Sequence, residues 1–137
     1  MTLYLDTSDL VKLYVDEPGA ADLRRHVDEA DVVVTSALAY PETRATIARR
    51  RRERLLTAAE SRAAVRQLDA DWAHLVVVPL TAPASRAAGH LADAHTLRGA
   101  DAVHLAAFET LLAQSDDADV QFSSADAAQV RAARALG

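Results

Sequence analysis

The stretch Leu3-Tyr4-Leu5-Asp6-Thr7-Ser8 decides the fold that this chain is expected to adopt. Its three apolar residues predict a short buried strand, and the three polar residues that follow are of the types that begin helices. A strand that runs directly into a helix is typical of proteins in which strands and helices alternate. The opening therefore predicts an α/β fold.

Further apolar runs continue this alternation along the chain. Strands are predicted at residues 32–35, 75–78 and 119–123. Helices are predicted at residues 10–14, 20–30, 37–52, 57–73, 81–95, 100–114 and 125–135. Pro41 lies inside the third of these helices, which must either begin there or bend there. Strands that alternate with helices form parallel sheets, so we expect a three-layer α/β/α sandwich with a short, mostly parallel central sheet.

Length and composition restrict the class of protein. The chain has 137 residues, half of them apolar and 26% charged, which is typical of one folded domain spanning residues 1–137. It contains no cysteine, so disulfides, thiolate zinc sites and cysteine nucleophiles are excluded. No apolar run approaches the roughly 20 residues of a membrane span, and the N-terminus lacks the pattern of a signal peptide. We therefore expect a cytoplasmic protein with no membrane partner.

The charge is unevenly distributed. The net charge is −5, yet residues 44–66 contain eight arginines and only two glutamates. An acidic protein with one basic segment is compatible with a metal site beside a phosphate-binding surface. The run Arg49–Arg52 by itself also fits a solvated helix face, the more common reason for a run of charges.

Four acidic residues are expected at one edge of the sheet. Asp6 follows the first strand, Glu42 lies early in the helix after the second, Asp101 opens the helix over 100–114, and Asp126 follows the last strand. Each alone could cap a helix or face solvent. Ligands bind outside the carboxyl ends of parallel strands, and carboxylates that crowd together there need a cation between them. Hard oxygen ligands favour Mg²⁺ or Mn²⁺.

Neighbouring polar residues add to this hypothesis. Ser8 and Ser124 each lie two residues from one of these aspartates and could fix a carboxylate, or could simply cap helices. Asp119 is a poorer candidate because it precedes or begins the last strand. His104 lies three residues after Asp101, but its apolar flanks predict a packed or hydrogen-bonded side chain. The other four histidines lack the spacing of zinc ligands.

Several segments, in order along the chain, resemble motifs of one protein family. They are Tyr4–Ser8 with Leu10–Tyr14 and Asp16–Gly19, Ser36–Leu38 with Glu42, Leu97–Ala106, and Ser123–Asp126 with Arg131–Arg134. This series is similar to the motifs of PIN-domain ribonucleases of the VapC toxin type. The third segment is the most specific of the set. The last departs from the usual Thr-x-Asp pattern, because Ser124 stands in place of the threonine.

The resemblance implies an Mg²⁺- or Mn²⁺-dependent endoribonuclease, the toxin of a type II toxin–antitoxin pair. The residues that match the family's metal site are Asp6, Glu42, Asp101 and Asp126. The partners implied are an RNA substrate, a cognate antitoxin protein and a second copy of the chain in a homodimer. Basic side chains must offset the repulsion between an acidic site and RNA, and the candidates are the arginines at 49–54 together with Lys12 and Arg98.

Three alternatives remain open from the residues alone. A phosphoaspartate receiver-type signalling module also alternates strands with helices and binds Mg²⁺, but it needs a lysine after a later strand, and the only lysine is Lys12. A non-catalytic α/β protein-binding domain would keep the sheet without using the acidic residues. A structure-specific DNA nuclease would need additional elements to hold DNA, for which the chain has little spare length.

Overall fold

A four-stranded, all-parallel sheet forms the centre of the structure, a computed structural model that describes residues 1–137. Its strands are β1 (Thr2–Leu5), β2 (Val32–Ser36), β3 (Val76–Val78) and β4 (Val120–Ser123). They lie in the order β3-β2-β1-β4, and every neighbouring pair is parallel. Helices cover both faces, which confirms the predicted three-layer α/β/α sandwich.

Seven α-helices connect and cover the strands. They are α1 (Thr7–Leu10), α2 (Ala20–Glu29), α3 (Ala39–Arg52), α4 (Ala58–Trp72), α5 (Ala82–His95), α6 (Gly99–Gln114) and α7 (Ala127–Leu136). A 3-10 turn over Val11–Leu13 extends α1. The first helix begins at Thr7, inside the predicted capping cluster Asp6–Ser8, because the Asp6 side chain caps it by accepting from the backbone N–H of Asp9. None of the helices combines the length and the apolar character needed to cross a bilayer.

Pro41 does not mark the start of its helix. Helix α3 begins at Ala39 and places the proline in its first turn. The first four N–H groups of a helix have no partner within it, so the missing N–H of Pro41 removes no hydrogen bond there.

The central strand β1 connects the two outer layers. Side chains alternate between the faces of a strand, so Tyr4 packs on one face while Leu3 and Leu5 pack on the other. On the first face, Tyr4 joins a core formed mainly with α6 and α7, including Leu105, Phe108, Ala132 and Ala133. On the second, Leu3 and Leu5 join Leu10, Leu23 and Ala39 from α1, α2 and α3. Because β1 is fully buried, the residue that follows it has a fixed position.

The strand order places a crevice beside the end of β1. The chain passes from β1 to β2 to β3 in one direction across the sheet and then returns to place β4 on the other side of β1. Ligands of open α/β sheets bind where the strand order reverses, outside the carboxyl ends of the strands. Here that point lies between β1 and β4, where the N–H of Asp6 donates to the carbonyl of Ser123 across 3.1 Å.

Candidate active site

Asp6 lies at this point with its carboxylate almost entirely buried. The hydroxyls of Ser8 and Ser124 donate to its two oxygens across 2.7 and 2.5 Å, and the N–H of Asp9 donates across 3.2 Å. No ammonium or guanidinium group is among these partners. Burial raises the pKa of Asp6 above its usual value, although the two serine hydroxyls oppose the shift. The Asp6 carboxyl group is therefore buried without a lysine or arginine partner.

Glu42 approaches the same edge of the sheet from the first turn of α3. Its Oε1 accepts from the hydroxyl of Thr7 across 2.5 Å and lies 3.1 Å from Nε2 of His104. Burial by itself would raise the pKa of Glu42, but the hydrogen bonds from His104 and Thr7 outweigh it and lower that pKa. Glu42 is therefore an ionised carboxylate that is held through one of its two oxygens.

Behind Glu42, His104 connects the site to the core of the sheet. The ring is almost fully buried, and its Nδ1 lies 2.8 Å from the hydroxyl of Tyr4. Burial raises the pKa of the Tyr4 phenol well above its usual value, and the negative charges of Asp6 and Glu42 raise it further. The prediction that His104 is a packed, hydrogen-bonded histidine is confirmed. Its contacts with Tyr4 and Thr7 were not predicted, although Thr7 directly follows Asp6 and Tyr4 lies two residues before it.

Asp101 occupies the first turn of α6, one turn before His104 on the same helix. Its side chain is 22% exposed and lies 3.5 Å from Nε of Arg98, a side chain that is 87% exposed. The backbone carbonyl of Asp101, by contrast, accepts a hydrogen bond from the buried side chain of Gln129 across 2.6 Å. The backbone of Asp101 thus connects α6 to α7, while its carboxylate is paired only with the exposed Arg98.

Asp126 acts as the N-cap of α7. Its Oδ1 accepts from the N–H groups of Ala128 and Gln129 across 2.9 and 3.4 Å. The capping alternative that the sequence left open is thus realised in the structure for this residue, as it is for Asp6. Only the second oxygen of Asp126 is left without a partner in the protein.

The other predicted neighbours of the site differ in their surroundings. Ser8 and Ser124 both reach Asp6, as described above, and their hydroxyls lie 3.3 Å apart. Lys12, in contrast, lies 2.9 Å from Oδ1 of the buried Asp9, whose other oxygen accepts from Ser123. The ammonium group of Lys12 therefore neutralises a buried carboxylate that the sequence did not single out.

Asp119 lies away from these residues. Its carbonyl accepts from the N–H of Thr2, which opens β1, so Asp119 is at the amino end of the sheet. Asp6 and Asp126, in contrast, follow the carboxyl ends of β1 and β4. Asp119 therefore does not join them.

The donor chemistry of the site fits a hard divalent cation, although its ligands are not assembled in advance. No three His, Cys, Asp or Glu side chains come together in an arrangement that would hold a metal ion. Mg²⁺ is usually bound by one or two carboxylates, with water and substrate phosphates completing its shell. The buried carboxylate of Asp6, which lacks a cationic partner, and the neighbouring Glu42 supply oxygens of the required kind.

The basic segment predicted as a phosphate-binding surface lies on α3 and α4, and its arginines are not equivalent. Arg50 forms an ion pair with Glu17 and is partly buried. Arg51, Arg52 and Arg54 are exposed at the C-terminal end of α3, where positive charge also interacts favourably with the helix dipole. At 1.5 Å per residue, the helix places Arg52 about 15 Å along its axis from Glu42.

Comparisons with known proteins agree with the fold and with the order of the motifs. The PIN domain family matches residues 3–135. Ribonuclease VapC45 of Mycobacterium tuberculosis is 46% identical over 104 residues, which cover 76% of this chain and 72% of that protein.

Two solved structures share the fold at low sequence identity. FitAcB of Neisseria gonorrhoeae matches with a TM-score of 0.68 and 16% identity, covering 96% of this chain and 93% of that one. VapC20 of M. tuberculosis, a sarcin–ricin loop cleaving toxin, matches with a TM-score of 0.66 and 19% identity over 90% and 91% of the two chains.

Proposed function

This chain belongs to the PIN domain family, and from that premise we propose that it is an endoribonuclease that hydrolyses phosphodiester bonds in RNA with Mg²⁺ or Mn²⁺. It acts as the toxin of a type II toxin–antitoxin pair. The observation that carries the proposal is the buried carboxylate of Asp6, which no lysine or arginine side chain neutralises and which lies near Glu42 where the strand order reverses. The similarity to a ribonuclease at 46% identity supports the same reaction.

In this proposal all four acidic side chains contribute to binding the cation. Asp6 and Asp101 would hold it, and Glu42 and Asp126 would contribute directly or through water. When bound, the cation would neutralise charge that develops on the scissile phosphate and would make water more acidic. The products expected from the family resemblance carry a 3′-hydroxyl and a 5′-phosphate.

The protein's own groups fix the carboxylates that take part. Ser8 and Ser124 hold both oxygens of Asp6, so this carboxylate needs little reorganisation when a cation arrives. Glu42 stays ionised because His104 and Thr7 hold its Oε1, and its Oε2 has no hydrogen-bond partner in the protein. That second oxygen is available to accept a proton or to bind.

Removal of divalent metal is expected to abolish cleavage. Purified protein is incubated with a mixture of end-labelled RNAs in Mg²⁺, in Mn²⁺ and in excess chelator, and the ends of the products are determined. We expect cleavage in both metals and none in chelator, with activity restored when Mg²⁺ is returned. Cutting that proceeds undiminished in chelator would contradict the metal requirement, and intact RNA under every condition would contradict the nuclease assignment.

The exposed arginines of α3 are proposed to bind the phosphates of the RNA. Arg51→Gln/Arg52→Gln is expected to weaken RNA binding and to lower the salt slope of log K by about 1.4, because each phosphate contact of a single strand contributes about 0.7. Fluorescence anisotropy over a range of salt concentrations measures both. Arg50 is left unchanged because it pairs with Glu17.

A charge-matched control separates local binding from the loss of net charge. Arg25→Gln/Arg86→Gln removes two exposed arginines outside the basic segment. We expect it to retain the wild-type slope. If both double variants show the same salt slope of log K, Arg51 and Arg52 belong to a solvated helix face and do not bind the RNA.

The protein partners follow from the same proposal. An antitoxin that placed an arginine or lysine beside Asp6 would supply the cation that this buried carboxylate lacks. The homodimer rests on the family resemblance alone. Light scattering of the purified chain measures it directly, and a monomer at high concentration would contradict it.

A further inference from the structure

The hydrogen bonds behind Glu42 have only one arrangement of protons that satisfies them all. Tyr4 is fully buried, and its hydroxyl has a single partner, Nδ1 of His104. A buried phenol must donate its proton, so Nδ1 is the acceptor and the ring carries its proton on Nε2. That Nε2–H points to Oε1 of Glu42 at 3.1 Å and to Oγ1 of Thr7 at 2.8 Å.

Thr7 completes the arrangement. Its own hydroxyl donates to the same Oε1 of Glu42 across 2.5 Å, so this oxygen receives two hydrogen bonds and Oε2 receives none. A doubly protonated ring would instead donate from Nδ1 toward Tyr4, whose hydroxyl proton would then lack an acceptor. The network therefore directs the Nε2 proton of His104 at the carboxylate of Glu42.

The phenol at the inner end of this network cannot turn away. The Tyr4 ring stacks on Phe122 with centroids 5.4 Å apart and meets the edge of Phe108 at 5.9 Å. Close packing fixes the ring, and the strand that carries it is central and fully buried. The position of the hydroxyl, and with it the tautomer of His104, is thus set by the core of the sheet.

We propose that His104 is a positioning residue for Glu42. Tyr4 fixes the ring as the Nε2–H tautomer, and the ring and Thr7 together immobilise one carboxylate oxygen so that the other is presented to the cation or the substrate. The inference rests on the proposed function, since it concerns a carboxylate of the same site. A histidine that served only to fill the core would need neither a fixed tautomer nor a link to a partly exposed carboxylate.

Tyr4→Phe tests the proposal because it removes one hydroxyl and keeps the packed ring. Nitrogen NMR of the histidine side chains reports the tautomer, and carbon relaxation at Glu42 reports the mobility of its side chain. In the wild-type protein we expect the Nε2–H tautomer and a rigid Glu42. In the variant we expect a mixture of tautomers and a mobile Glu42, with Mn²⁺ affinity and kcat each reduced about 10- to 100-fold and KM for RNA unchanged.

Tyr14→Phe is the matched control. It also removes a partly buried tyrosine hydroxyl, one that donates to Asp71 across 2.9 Å and does not touch the site. We expect it to keep the wild-type tautomer, Glu42 rigidity and Mn²⁺ affinity. Thermal melting of both variants separates these effects from any change in stability.

The results distinguish this inference from the proposed function. A wild-type ring protonated on Nδ1 or on both nitrogens would overturn the inference, and so would a Glu42 as rigid in Tyr4→Phe as in the wild type. Unchanged Mn²⁺ affinity in that variant would leave His104 a structural residue only. If the wild-type protein neither binds Mn²⁺ nor cleaves RNA, the proposed function fails, while the two NMR measurements still decide whether His104 positions Glu42.

Discussion

Asp6→Asn is expected to reduce RNA cleavage by about a thousandfold and, at the same time, to raise the melting temperature of the metal-free protein. The loss of activity follows from removing the carboxylate that the proposal places at the centre of cation binding. The gain in stability follows from burial, because the native protein must keep a negative charge out of water without a paired cation. Asparagine can keep contacts with Ser8 and Ser124 without that charge.

The stability effect has a defined dependence on pH. Burial raises the pKa of Asp6 in the folded state, so the folded protein binds this proton more tightly than the unfolded chain does. The stabilisation from the bound proton is present below the ordinary pKa of an aspartate and is lost as the pH rises through the raised value. The wild-type and variant melting temperatures should therefore be similar in acid, and the variant should become the more stable by a few degrees toward neutral pH.

Thermal melting in chelator across this pH range measures the difference. Asp28→Asn, which changes an exposed aspartate on α2, serves as the control and should follow the wild type. A difference between Asp6→Asn and the wild type that does not change with pH would show that the charge of Asp6 costs the fold nothing. Added Mn²⁺ should raise the melting temperature of the wild type more than that of the variant.

Asp101→Asn is expected to reduce cleavage by about two to three orders of magnitude with almost no effect on stability. The structural contact of this residue uses its backbone carbonyl, which receives the side chain of Gln129 and survives the substitution. The carboxylate itself meets only the exposed Arg98, and exposed ion pairs of this kind contribute about 0–1 kcal/mol. Asp101→Asn should therefore lower the rate of RNA cleavage and leave the melting temperature almost unchanged.

The measurement is RNA cleavage in Mg²⁺ alongside thermal melting of the same preparations. Asp93→Asn removes an exposed acidic side chain from α5 and should change neither. Mg²⁺-dependent cutting by Asp101→Asn at the wild-type rate would refute the role of Asp101. A large fall in its melting temperature would instead mean that the carboxylate supports the fold.

Local sequence signals were sufficient to predict most of the fold. Thr57 and Thr81 cap α4 and α5 through their side chains, which is why those helices begin within one residue of the predicted starts. The apolar runs became neighbouring parallel strands because helical connections bring successive strands back in the same direction. The position of Asp6 at the carboxyl edge of the sheet was predictable for the same reason, since it directly follows a predicted strand.

The pairing of charged groups that are far apart in the chain was not predictable in this way. Lys12 was predicted as a substrate candidate from its charge, and its ammonium group pairs with Asp9. Arg50 belongs to a run of four arginines, yet it alone pairs with Glu17, 33 residues away. The partner of Arg50 depends on how α3 packs against the segment before α2, and a one-dimensional pattern of charges contains no information on that packing. Asp9 and Lys12, in contrast, have the i,i+3 spacing of neighbours on one helix face.

The sequence by itself determined the alternation of strands and helices, the parallel sheet and the identity of the acidic residues that follow its strands, because these depend on local propensity and on the carboxyl ends of parallel strands sharing one edge. Only the tertiary structure decided which of these carboxylates are restrained and by what. Thr7 and His104 are 97 positions apart and meet at Glu42 because α6 packs on the face of the sheet that carries Tyr4. Hydrogen bonds require contact within about 3 Å, and only the packed core sets distances on that scale between residues so far apart in the chain.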